Sequence, residues 1–87
     1  MATVHIPTQL RSLTGGAEQL EVPGGNLRQV VAALDAAYPG MAERLLRDDA
    51  LSPSLAVSID GAFTNRGLLA SVGPDSHVYF FPAIGGG

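Results

Sequence analysis

Apolar and polar positions alternate over residues 3–8, with Val4 and Ile6 on one side and Thr3 and His5 on the other. A period of two is the mark of a strand lying half-buried on a core. Thr14-Gly15-Gly16-Ala17 then supplies a turn, because adjacent glycines readily take the positive φ that hairpins need. Alternation resumes over residues 18–22, where Leu20 and Val22 oppose Glu21, and predicts a second strand antiparallel to the first. Pro23-Gly24-Gly25 ends it. There the period changes. Asn26 stands at a helix N-cap, and Leu27, Val30, Val31, Leu34 and Tyr38 follow at spacings of three and four. This stripe predicts a helix of about three turns, stopped by Pro39-Gly40.

Residues 41–46 fit a further helical turn with Met41 and Leu45 on one side, while Asp48-Asp49 and Ser52-Pro53-Ser54 read as loop. Leu55, Val57 and Ile59 alternate with Ala56 and Ser58 as a third strand, closed by the turn signal Asp60-Gly61. Phe63-Thr64 fits a short edge strand. Gly67-Leu68-Leu69-Ala70 leads to a turn at Val72-Gly73-Pro74-Asp75-Ser76. In the last strand, residues 77–82, Val78 and Phe80 point one way and His77, Tyr79 and Phe81 the other. Pro82 has no amide hydrogen, so pairing is predicted to fail there and release the chain. The order ββαβ(β)β with one helix predicts a two-layer α+β domain. The long connection through the helix suits a crossover, and a β-grasp with parallel, central first and last strands satisfies it. We expect one domain over residues 1–82 and a flexible tail over 83–87.

Composition removes several classes. At 87 residues and 46% hydrophobic, the chain suits one small globular domain, and no stretch approaches the ~20 apolar residues of a membrane span. No basic cluster precedes an apolar stretch at the start, so no secretory leader is expected. Cysteine is absent, which removes disulfides, thiolate catalysis and cysteine metal sites, and suits a cytosolic setting. The five basic residues are all arginine, scattered among eight acids for a net charge of −3. No basic patch exists to neutralise phosphates, so nucleic acid is not an expected partner.

Internal chemistry is equally sparse. His5 and His77 share the sheet face away from the helix on neighbouring strands, yet no acid on those strands completes a metal site. Asp48-Asp49 lies in a loop, the serines lack nucleophile-elbow surroundings, and the glycine pairs lack the spacing and lysine of a phosphate loop. Tyr79 and Phe81 differ: on a face that one helix cannot cover they would form an exposed aromatic patch, suited to an interface, unless residues 41–46 or a loop folds over them. The chain then closes on Gly85-Gly86-Gly87. Three glycines are a poor way to build a fold and a good way to enter a narrow slot; the only reactive group they deliver is the terminal carboxylate. A frayed end is the alternative reading.

The strand order, the Asn26-capped helix, the turn Gly73-Pro74-Asp75 and the closing Phe80-Phe81-Pro82-Ala83-Ile84-Gly85-Gly86-Gly87 together resemble the ubiquitin-like sulfur carriers of the ThiS/MoaD family. The resemblance spans the whole chain. Val4-His5-Ile6-Pro7-Thr8, Leu10-Arg11, Thr14-Gly15-Gly16, Tyr38-Pro39-Gly40 and Glu43-Arg44-Leu45 look most like its actinobacterial branch serving cysteine synthesis. That family usually ends Ala-Gly-Gly, so this chain has one methyl group fewer.

The resemblance implies a cytoplasmic ubiquitin-like β-grasp carrier, with no catalytic residues and no bound cofactor or metal. An E1-like adenylyltransferase/sulfurtransferase would consume ATP to adenylate the Gly87 carboxylate. A sulfur donor would then displace AMP and leave a thiocarboxylate. Gly85 and Gly86 would give clearance, and Tyr79, Phe81, Pro82 and Ile84 would meet partners. The receiver would be a cysteine synthase type of enzyme, or one making molybdopterin, thiamine or thiosugars. A ubiquitin-like modifier that forms isopeptide bonds, or a β-grasp adaptor, are the other readings. Fully extended, residues 83–87 reach about 17 Å, enough to cross an enzyme's mouth.

Overall fold

A computed structural model describes residues 1–48, 50–52, 55–64 and 66–82, leaving the side chains of Gln9 and Pro82 undescribed. The chain opens with β1 (Ala2–His5), ending before Pro7 and a 3-10 turn at Thr8–Leu10, and returns as β2 (Gln19–Val22). The first strand thus stops short of the predicted residue 8, because a proline followed by a tight turn cannot continue a ladder. Helix α1 (Leu27–Ala37) and the short α2 (Met41–Leu45) follow. Next come β3 (Leu46–Arg47), β4 (Ala50–Leu51), β5 (Leu55–Ile59), β6 (Ala62–Phe63), a 3-10 turn at Gly67–Leu69, and β7 (His77–Pro82).

The main sheet runs β2-β1-β7-β5-β6, with β1 and β7 parallel at its centre. This is the predicted β-grasp order. Helix α1 lies across one face and buries Leu27, Val30, Val31 and Leu34 against Val4, Val57, Val78 and Phe80. The Asn26 cap forms as expected: its Oδ1 accepts the Gln29 amide at 2.9 Å, and Gln29 Oε1 reaches back to the Gly25 amide. Tyr38 falls just past the helix, at its C-cap, half-buried. Met41 and Leu45 are buried on the helix side, so α2 extends the core and leaves the outer sheet face bare.

Three details add to or differ from the sequence reading. β3 and β4 pair as a small separate hairpin where loop was expected, with Asp48 taking the left-handed conformation (φ 54°) at its turn. Ser58, which alternation sets on the opposite side of β5 from Val57, is buried as well, because its cross-strand neighbours Tyr79 and Phe63 flank it. Pairing also continues through Pro82, opposite Leu55. β1's ladder with β7 stops at Tyr79, so the end of β7 pairs only with β5, and such an edge tolerates proline.

Candidate functional site: the outer sheet face and the root of the tail

Alternation along β7 decides what the outer face carries. Phe80 and Val78 go into the core, and Tyr79 and Phe81 are left 36% and 39% exposed. The parallel register sets His5 beside Tyr79, and their rings stack with centroids 4.0 Å apart and 4° between planes. His77 lies 5.3 Å from His5, Phe81 is 6.0 Å from Tyr79, and Phe63 closes the row 5.8 Å from Phe81. Five rings from three strands thus form one continuous aromatic ladder that runs along β7 to Pro82. Stacked and tilted ring contacts of this kind are favourable, so the rings support one another along the row.

The sequence reading placed Tyr79, Phe81, His5 and His77 on this face, and the structure brings all four together. Pro82 stands at the end of the ladder. Ile84, Gly85, Gly86 and Gly87 lie outside the described residues. Phe63 was not singled out, although it is 71% exposed and in contact with Phe81. The signal for it was present: a two-residue turn at Asp60-Gly61 sets Ser58 opposite Phe63, and so puts Phe63 on the same face as Tyr79.

Asp60 is the second residue missed. Its φ of 52° and the 86° of Gly61 make the tight turn. Its carboxylate accepts the His77 amide at 2.9 Å and the Ser76 hydroxyl at 2.7 Å, while its own amide donates to the His77 carbonyl. The β5–β6 turn is thereby latched to the start of β7. These hydrogen bonds, from His77 first and Ser76 second, hold the Asp60 carboxyl below its ordinary value. The two imidazoles are bonded to one another, His5 Nε2 to His77 Nδ1 at 3.0 Å. Partial burial, then the charge of His77, push His5 below its ordinary value.

Beside the ladder a groove of about 480 Å³ runs between Tyr79–Phe81 and the segment Ile6-Pro7-Thr8. Arg11 and Glu18 line its polar wall and approach to 4.0 Å. Among the described residues no group of three His, Cys, Asp or Glu is placed to hold a metal, and no helix is long and apolar enough to cross a membrane.

One main helix across a mixed sheet, parallel central strands and an aromatic outer face leading into the last residues define a ubiquitin-like β-grasp domain. The chain belongs to the ThiS family, which it matches over residues 4–87. It is 34% identical over 92 aligned positions to the sulfur carrier protein CysO of Mycobacterium tuberculosis (strain H37Rv) and to that of Mycobacterium bovis. Each alignment covers 98% of this chain and 97% of the relative. The crystal structure of Mycobacterium tuberculosis CysO superposes with a TM-score of 0.89 at 29% identity, covering 97% of this chain and 100% of that one. A chain of the Amycolatopsis orientalis BexX/CysO complex superposes with a TM-score of 0.92 at 28% identity over all of both chains. The small archaeal modifier protein 1 of Methanosarcina acetivorans, at 20% identity and a TM-score of 0.82 over 99% of this chain and 95% of that one, shares the fold.

Proposed function

We propose that this chain is a sulfur carrier whose working group is the Gly87 carboxylate, with cysteine biosynthesis as the destination of the sulfur. The observation that carries the reading is the near-full-length likeness to CysO sulfur carriers in a chain that closes on Gly85-Gly86-Gly87. The aromatic ladder supports it, because it leads along β7 directly to the root of residues 83–87. An E1-like enzyme docks on Tyr79 and Phe81, with Pro82 and Ile84 guiding the tail and Gly85 and Gly86 passing its slot. The Gly87 carboxylate oxygen attacks the α-phosphate of ATP, and pyrophosphate leaves. A sulfur donor adds to the acyl carbon of the adenylate, AMP leaves, and the thiocarboxylate remains. Its anionic sulfur then attacks the electrophile bound in the accepting enzyme. The carrier itself binds no cofactor and catalyses nothing; ATP is the partner's substrate. Assembly of CysO with BexX in Amycolatopsis orientalis supports an accepting partner that binds a domain of this shape.

The test is deletion of Gly86 and Gly87. We expect sulfur transfer to be abolished while the melting temperature and the far-ultraviolet spectrum stay unchanged. Transfer that persists in the shortened chain would refute a terminal carrier. Protein adducts that survive reductant and depend on Gly87 would instead mark a modifier.

A further inference from the structure

The end of the ladder farthest from the tail is a pair of imidazoles in contact, His5 on β1 and His77 on β7. A nitrogen–nitrogen hydrogen bond needs a hydrogen on one atom and a lone pair on the other. If His5 Nε2 donates, its Nδ1 is bare and His77 carries a hydrogen on Nε2; the opposite tautomer reverses both. Either way the neutral pair offers a partner one donor and one acceptor, at His5 Nδ1 and His77 Nε2. One added proton makes both outward nitrogens donors and places a positive charge in the row. A second would set hydrogens on both facing nitrogens and break the bond.

The surroundings offer this charge little direct pairing. Tyr79 stacks flat on His5, and β5 and β6 contribute Ser58, Ala56 and Phe63 to the face. Gln19 stands opposite His5 on β2, and Glu21 stands one row away, opposite Thr3. Arg11 and Glu18, in the groove beside His5, are engaged with one another. The Asp60 carboxylate is held by the His77 backbone amide and the Ser76 hydroxyl, and from there it attracts a positive charge on His77.

We propose that the imidazole pair is a proton-coupled contact within the docking face: a partner covers it in its neutral form, and docking expels the proton it takes up in mild acid. The proposal rests on the ladder being the docking face. Covering the ladder removes the pair from water, which disfavours the charged form. Partial burial already does this to His5 in the isolated domain. The partner surface is therefore apolar over Tyr79 and Phe81, with one donor and one acceptor, such as a backbone amide and carbonyl, facing the imidazoles. An acidic partner surface would prefer the protonated pair and give the opposite pH trend.

The experiment is a calorimetric titration of the full chain with the E1-like enzyme that adenylates it, at pH 7.5 and 5.5, for the wild type, the double variant His5→Gln/His77→Gln and Phe81→Ala. Expulsion of one proton predicts severalfold weaker wild-type binding at pH 5.5, relative to the same ratio for the double variant, which keeps no imidazole in the face and cancels titrations belonging to the enzyme. Equal pH ratios for wild type and the double variant, or a wild-type affinity that rises in acid, would overturn the proposal. Phe81→Ala binding as tightly as wild type at pH 7.5 would instead overturn the docking face, whatever the imidazoles do.

Discussion

Phe80 and Phe81 are chain neighbours with opposite surroundings, one 4% exposed in the core and the other at the root of the tail. Truncating Phe80 to Ala is expected to cost about 3–5 kcal/mol of stability, a large share of what a small domain has. Truncating Phe81, which loses ring contacts with Tyr79 and Phe63, should cost the fold less, about 1–2 kcal/mol, and weaken binding to the adenylating partner by ~2 kcal/mol or more, about 30-fold. Melts and binding titrations on both variants check this; reversed outcomes would mean that the face is wrongly assigned. Gly24 makes a separate prediction. Its φ is 152°, and a Cβ there would lie 3.0 Å from both Cγ2 and the backbone nitrogen of Val30. Gly24→Ala should therefore destabilise by about 1–3 kcal/mol in a denaturant titration. The facing of Phe80 and Phe81 was legible from alternation alone. The need for glycine at position 24 was not, because it arises from a helix that folds back over the turn.

Among the elements, helix α1 and the β5–β6 turn were legible because their signals are local: an N-cap asparagine, a 3.6-residue stripe, and Asp-Gly between strands. Asn26→Ala should remove the bond to the Gln29 amide and cost ~1 kcal/mol. The β3–β4 hairpin escaped notice because two-residue strands carry no period, and burial of Ser58 because it depends on rings from two other strands. The Asp60 latch likewise joins elements distant in sequence, and it has a pH signature. Its lowered folded-state value means that ionisation stabilises the fold above the ordinary 3.8, and that this contribution is lost as pH falls through the lower folded value. For His5 the favoured form is neutral, so its contribution is present above 6.5 and declines as pH falls below it. Melts from pH 8 to 3 should show both losses, the first absent in His5→Gln and the second in Asp60→Ala.

At the level of the whole molecule, one folded body carries an aromatic face along β7 that leads to residue 82. The β-grasp order followed from the element sequence once the helix crossover was required. The aromatic ladder needed the parallel β1–β7 register to set His5 against Tyr79, which no single strand reveals. The proposed function divides the work accordingly, with the face selecting the partner and the terminus carrying the sulfur. The most direct test is the intact mass of the chain after incubation with its adenylating enzyme, ATP and a sulfur donor. One oxygen is expected to be exchanged for sulfur, mapped to Gly87 and absent when ATP is left out. A terminus that stays unmodified with every cognate activating enzyme, or sulfur found anywhere else in the chain, would contradict it.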